Sequence, residues 1–218
     1  MDDAKLDHLI RLQEDLLETI GGSEGLIRAQ LHRHERKARA FVGDRPALYL
    51  QALPLESLEW RITFPIAAKA LDGQFDVGGP RSRIPNGLRL EGLDPEAEKE
   101  WRLDIHQDGY VSYIHFNRDT ERKLRAADFR VIQAFGLVCD RIPIAQDLAP
   151  QLEVPYLLRL KFFNSSGFVD VSTAGSIGPP DEGPEIELPD EKRETEEPLS
   201  EVANRLSQGL KSVLSPAR

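Results

Sequence analysis

The stretch WRLDIHQDGYVSYIHF, residues 101–116, carries the clearest structural signal in the chain. Two runs of strand-forming residues flank the Asp-Gly pair at 108–109, which is typical of a two-residue type I′ hairpin turn. A loop of that length sets the strand register, so Trp101 is expected to pair with Phe116. The apolar face predicted to lie on the core comprises Trp101, Leu103, Ile105, Ile114 and Phe116.

Strand and helix periodicities continue on both sides of this hairpin. The predicted strands are Ala47–Leu55, Leu88–Glu91, Trp101–Gln107, Tyr110–Asn117 and Pro155–Phe163. The predicted helices are Asp3–Ile20, a second that ends near Val42, a short one over Pro65–Leu71, and a long one over Leu124–Ala149 that Pro143 breaks. These elements predict an α+β fold with two N-terminal helices and a mostly antiparallel sheet, on whose core face the long helix packs.

The acidic charge of the chain is concentrated near its C-terminus. Residues 176–198 contain nine acidic and two basic residues, a net of −7 within a total of −9, which leaves −2 for the remainder. Dense charge and proline cannot bury a core, so this segment is expected to be disordered. The predicted organisation is an N-terminal helix at 1–22, an α+β domain at 23–173, a disordered acidic linker at 174–198 and an amphipathic helix at 199–218.

The C-terminal segment LSEVANRLSQGLKSVL regains a helical period. A helix this short is marginal alone in water, and the extended linker before it suits delivery to a groove on another protein. Its partner-docking residues are predicted to be Leu199, Val202, Leu206, Leu210 and Val213. If the helix serves a partner, removing Leu199–Arg218 should leave the thermal melt of the domain nearly unchanged. The alternatives are that it folds back on its own domain or attaches to a membrane.

A basic segment, GLIRAQLHRHERKARAFV at residues 25–42, contains five Arg or Lys residues. On a helix, Arg28, His32, Arg36 and Arg39 fall along one strip, which is the arrangement needed to contact nucleic-acid phosphates. The strip has no interleaved aromatic residue for base stacking. A solvated helix face with ion pairs such as Glu35–Arg39 is therefore the favoured interpretation.

The residues that commonly carry catalysis or bind metal do not converge in the sequence. The single cysteine, Cys139, has apolar neighbours and is expected to be a buried, inert thiol. The predicted register places His106 and His115 on one face of the ribbon, roughly 13 Å apart, which is too far to share an ion. We therefore predict no catalytic residue, no metal and no cofactor. No membrane span or signal peptide is predicted either, and a cytoplasmic location is expected.

The order of elements from about Arg28 to Ser172 resembles the region that follows the Schlafen/AlbA-type DNA-binding (ATP-binding) domain in many bacterial proteins. The resemblance rests on a basic helix that leads to ARAFVGDRPALYLQALPL, then on NGLRLEG, GYVSYIHFNRD and YLLRLKFFNSSGFVDV. It covers about two thirds of the chain and includes no catalytic motif. In such proteins the nucleotide or nucleic-acid chemistry belongs to the preceding domain, which has no counterpart here. The resemblance therefore implies an accessory module, to which no catalytic residue is carried over.

Together these observations predict a non-catalytic accessory module that binds a protein partner. The first alternative is a nucleic-acid-associated protein that uses the basic helix 28–39, and its binding should weaken steeply with salt. The second alternative is an enzyme whose site assembles from distant residues, in a pocket lined by Asp104, His106 or His115.

Overall fold

A computed structural model of the chain describes residues 25–56, 58–75, 79–94, 99–117, 130–146, 154–164, 186–193 and 197–214. The chain divides into two compact units, Met1–Phe41 and Val42–Arg218. The domain boundaries predicted at residues 22 and 173 stay predictions. Residues 25–42 form helix α1, which agrees with the second predicted helix. The predicted helix Asp3–Ile20 lies outside the described residues.

The second unit is built on one antiparallel sheet. Its strands within the described residues are β1 (Ala47–Pro54), β2 (Arg81–Ile84), β3 (Gly87–Asp94), β4 (Lys99–His106), β5 (Val111–Asn117), β6 (Tyr156–Phe163), β7 (Ile186–Glu187) and β8 (Glu191–Arg193). Their spatial order is β2-β3-β4-β5-β1-β6-β7, and β8 also pairs with β6. In the part of this unit that the structure describes, the helices are α2 (Phe64–Leu71), α3 (Arg130–Ala145) and α4 (Leu199–Leu214). The fold is therefore α+β, as predicted.

The three described helices of the second unit share one hydrophobic core with one face of the sheet. The sheet side of this core includes Leu48, Leu50, Leu103, Ile105, Val111, Tyr113 and Leu160. The ring of Phe135 in α3 lies 6.4 Å from that of Tyr113, centroid to centroid. The opposite face is rich in polar residues, because the alternate positions of the same strands are Tyr49, Gln51, Arg89, Arg102, Asp104, Ser112, Arg159 and Lys161.

The hairpin of β4 and β5 forms as expected, but the predicted register is wrong by one residue. Trp101 pairs with His115 instead of Phe116. The loop has three residues, because the His106 nitrogen donates to the Tyr110 oxygen at 2.8 Å and the Gly109 nitrogen donates to the His106 oxygen at 3.2 Å. Gly109 takes a φ of +84°, so the turn is the longer kind that ends in a left-handed residue.

This shift changes which side of β5 faces the helices. Tyr113 and Val111 belong to the core cluster that α3 joins, whereas the prediction placed Ile114 and Phe116 there. Ile114 and Phe116 are also buried, but they lie on the opposite face of the sheet. Because the side-chain period of a strand is two, a loop longer by one residue moves every side chain of the second strand to the other face.

Three further predictions about elements need correction. Helix α3 runs through Pro143 to Ala145, since a proline in the last turn disturbs only the end of a helix. The segment between the predicted helix Pro65–Leu71 and the predicted strand Leu88–Glu91 contains a further strand, β2, whose residues are mostly exposed. The predicted disorder of the acidic linker is wrong for residues 186–193, because β7 and β8 pair there with β6.

Candidate interaction site

The C-terminal part of the second unit, residues 186–214, contacts the rest of the unit through both strand pairing and helix packing, and we call it the arm. The arm comprises β7, β8 and α4, and it lies along β6 and α3. We call the surface of β6 and α3 that it covers the arm seam. Along the seam, Ile186 is paired with Phe162, and Arg193 is paired with Tyr156. Between these strands the Leu188 nitrogen donates to the Leu160 oxygen at 3.3 Å, so the arm follows nearly the whole length of β6.

An ion pair holds the extended part of the arm. The Arg159 guanidinium donates from Nε and Nη2 to the two carboxylate oxygens of Asp190, at 2.7 and 2.6 Å. Two parallel bonds of this kind define orientation as well as proximity. The neighbouring Pro189 has no N–H group to donate, which suits a position between two short edge strands.

A buried arginine forms the second anchor. Arg193 is only 1% exposed, and its Cζ lies 4.8 Å from the centroid of the Tyr156 ring. Its Nη2 donates to the Val154 oxygen. Burial lowers the pKa of the Arg193 guanidinium, because the charged form loses hydration. A cation on a desolvated aromatic face is a favourable contact, so β8 is held by its side chain as well as by its backbone.

The N-terminus of α4 is capped by α3. The Leu199 nitrogen donates to Asp140 Oδ1 at 2.8 Å, and the Ser200 nitrogen donates to Asp140 Oδ2 at 3.0 Å. The first N–H groups of a helix have no partner within that helix, and the positive end of its dipole favours a carboxylate. A single side chain of α3 therefore satisfies two of these groups and sets the position where α4 begins.

The two helices cross very closely at a glycine. A Cβ atom added to Gly136 would lie 2.7 Å from the Ser200 Cα and 2.8 Å from the Ala203 Cβ. Real Cβ atoms do not approach backbone at such distances, so this crossing requires glycine in α3. Both helices therefore need a small residue at this crossing, Gly136 in α3 and Ala203 in α4.

The residues predicted to dock on a partner lie instead in the core of their own unit. Leu199, Val202, Leu206 and Leu210 are at most 2% exposed and belong to the core cluster with α3. The side chain of Val213 lies outside the described residues. In this structure the apolar stripe of α4 is therefore buried in cis, and the docking of these side chains on a partner stays a prediction.

The basic strip on α1 is largely in contact with solvent. Arg28, His32 and Arg39 are exposed, and Arg36 is half-buried. The predicted pair of Glu35 and Arg39 is confirmed, since Arg39 Nη2 lies 3.1 Å from Glu35 Oε1. This ion pair neutralises part of the strip and agrees with the interpretation of a solvated helix face.

The residues named for a distant-residue catalytic site are not brought together. Asp104 and His106 lie on the polar face of β4, whereas His115 lies on the core face of β5, where Tyr113 Oη is 3.1 Å from its Nδ1. The Asp104 carboxylate accepts two bonds from Arg89 Nε and Nη2, at 2.8 and 2.9 Å. Cys139 is a buried free thiol, and burial raises its pKa, as expected for an inert cysteine.

The contacts that anchor the arm could not be predicted from the sequence, because they join residues that are distant in the chain. Asp140 caps a helix that begins 59 residues later, and Arg159 reaches a partner 31 residues away. One local signal was present, since Pro198 directly precedes the first residue of α4. No pattern within the helix identifies Gly136 as a crossing point.

A buried tyrosine cluster on the polar face of the sheet leads to a prediction about alkaline pH. Tyr110 Oη lies 3.0 Å from Tyr49 Oη and accepts a bond of 2.9 Å from Gln51 Nε2. Burial raises the pKa of Tyr110, and burial also raises that of Tyr156. The folded state thus keeps phenol protons that the unfolded chain loses near pH 10, so stability is present below that pH and declines above it.

We therefore expect the free energy of unfolding, measured in urea between about pH 9 and 11, to decline less steeply in the Tyr110→Phe variant than in the native sequence. Absorbance near the tyrosinate band should show phenols that ionise only on denaturation. Full ionisation of every tyrosine in the folded protein with a midpoint near pH 10 would contradict this expectation.

Comparisons with known proteins identified no relative of this chain. No protein-family model matches the chain, and no curated protein or solved structure is significantly similar to it. The resemblance to the region after Schlafen/AlbA-type domains stays a prediction. The described helices include none with the length and apolar character needed to cross a bilayer. Among the described residues, no three His, Cys, Asp or Glu side chains are grouped to hold a metal ion.

Proposed function

We propose that this protein is a non-catalytic interaction module that binds a segment of a protein partner at the arm seam. The observation that carries the proposal is the docking of the arm itself, through strand pairing on β6 and a capped helix on α3. Strand addition at a sheet edge and a helix in a groove are two recurring ways in which proteins recognise peptides. Here one segment uses both.

The anchors of the seam divide into general and selective contacts. Backbone pairing along β6 accepts any extended segment, because it uses only main-chain groups. Selectivity comes from Arg159, which requires a carboxylate, and from the Tyr156 ring, which accepts a cation. Asp140 requires a helix N-terminus, and Gly136 requires a small residue on the incoming helix. A partner segment would compete with the arm for these same anchors.

A binding experiment with full-length chains tests this proposal. The probe is a fluorescent peptide of residues 186–214, and the receptor is a chain whose own arm is weakened by Asp190→Ala and Arg193→Ala. We expect saturable binding, at least about tenfold tighter than to the native chain, because the intact arm competes at an effective concentration on the order of millimolar. A matched control, Lys192→Ala with Gln208→Ala, changes exposed arm residues and should bind as weakly as the native chain.

The readout for arm release is limited proteolysis, which should cut the weakened arm faster. Circular dichroism recorded with the peptide bound should show a folded chain, because the peptide then supplies the core side chains of α4. If the weakened chain is folded and its arm is released, yet no peptide binds, the seam does not accept a segment in trans and the proposal is wrong.

A further inference from the structure

We infer that the partner segment is the arm of a second copy of this chain, so that two molecules exchange their arms. This inference rests on the proposed function. A second copy supplies by identity each group that the anchors need, including Asp190, Arg193 and the small residue Ala203. Any other partner would have to reproduce that combination.

The connection between body and arm is long enough to allow such an exchange. Phe162 and Ile186 are opposite each other in the β6–β7 ladder, so the two ends of the connection are neighbours in space. Hairpin loops of about two to five residues normally close such a pair, whereas this connection uses residues 163–185. A chain of that length spans at most roughly 80 Å, well beyond the diameter of a small domain, about 30 Å.

Exchange preserves the contacts at the seam. The anchors described above all join an arm residue to a body residue, and none depends on which molecule supplies the arm. Two exchanged arms form a closed pair with two-fold symmetry, because each body receives one arm and gives one. The long connection also allows closure in cis at an effective concentration on the order of millimolar. The exchanged dimer should therefore increase with protein concentration.

Two full-length single-cysteine variants report the exchange, both with Cys139→Ala to remove the native thiol. Leu157 in β6 and Lys192 in β8 are cross-strand partners. Antiparallel partners have Cα atoms about 4.5–5.5 Å apart, within the range of about 4.4–6.8 Å that disulfides span. A Leu157→Cys chain is mixed with a Lys192→Cys chain under mild oxidation, over a hundredfold range of concentration. We expect a covalent heterodimer on non-reducing gels, with a yield that rises with concentration.

Two controls make the outcome decisive. One chain carrying both Leu157→Cys and Lys192→Cys should form an intramolecular disulfide and remain a monomer. This result shows that cysteines at these two positions can form a disulfide. A mixture of Ser82→Cys and Arg89→Cys chains should give no heterodimer, because those cross-strand partners lie in β2 and β3 of the body.

Two results would overturn the inference. In the first, the double variant closes but the mixed single variants stay monomeric at the highest concentration. In the second, the Ser82 and Arg89 mixture gives as much heterodimer as the Leu157 and Lys192 mixture, which indicates random collision. The proposed function survives either result if the peptide of residues 186–214 still binds the arm-weakened chain, and it fails separately if that peptide does not bind.

Discussion

A chain that ends at Pro198 is expected to lose its cooperative thermal melt, because α4 is part of the core. Leu199, Val202, Leu206 and Leu210 are buried, and each buried side chain of this size stabilises by about 1.5–3 kcal/mol. Four of them contribute on the order of 6–12 kcal/mol, which is comparable to the whole stability of a domain, about 5–15 kcal/mol. Differential scanning calorimetry of the truncated and full-length chains measures the loss.

This outcome is the opposite of what a tethered helix predicts. The single substitution Leu206→Ala removes only part of the contribution of α4 to the core. It should lower the free energy of unfolding by about 2–5 kcal/mol. Gln208→Ala, at an exposed position of the same helix, should change it by less than about 0.5 kcal/mol. A truncated chain that melts within a few degrees of the full-length protein would show that α4 contributes little to the core.

The second large effect is expected at the crossing of α3 and α4. A side chain at Gly136 would meet the backbone of Ser200 and Leu199, which cannot yield as a flexible side chain does. Overpacking of this kind costs about 1–3 kcal/mol and occasionally more, so Gly136→Val should lower the free energy of unfolding by about 3 kcal/mol. For a domain of this size, that corresponds to a fall in Tm of roughly 6–12 °C.

Gly209 in α4 offers a matched control for this substitution. A Cβ added there meets only the Leu188 Cδ1, at 4.0 Å. Gly209→Ala should therefore stabilise by about 0.5–1 kcal/mol, because alanine has the higher helix propensity. Urea denaturation of both variants measures the difference. Equal stabilities for Gly136→Val and Gly209→Ala would mean that the helices are not held as closely as the structure shows.

The hairpin at 101–116 shows which structural features local sequence patterns can predict and which they cannot. Its existence was predictable, because two strand-forming runs flank a strong turn signal. Its register was not, since Asp-Gly also fits a three-residue loop that ends with a left-handed Gly109. Only the pairing of Leu103 with Tyr113 shows which loop forms. Identical turn residues fit both loops, and packing of Tyr113 against Phe135 is consistent with the longer one.

The acidic region is a second case in which local sequence patterns gave an incomplete prediction. Its composition indicates disorder when it is considered alone, because so few of its residues are apolar. Residues 186–193 nevertheless pair with β6, where Arg159 binds Asp190 and Tyr156 contacts Arg193. The charged residues that suggested a solvated linker are thus among those that hold it in place.

The amino-acid sequence by itself determined the α+β class, the presence of the five long strands and of the helices within the described residues, and the burial of Cys139. These features follow from side-chain periodicity and from turn and proline preferences, which act over a few neighbouring residues. Only the tertiary structure decided the register of β4 and β5 and the docking of the arm. Those features depend on contacts such as Asp140 with Leu199 and Gly136 with Ala203. Such contacts produce no periodic pattern in the sequence, because they join distant residues that meet only when the chain folds.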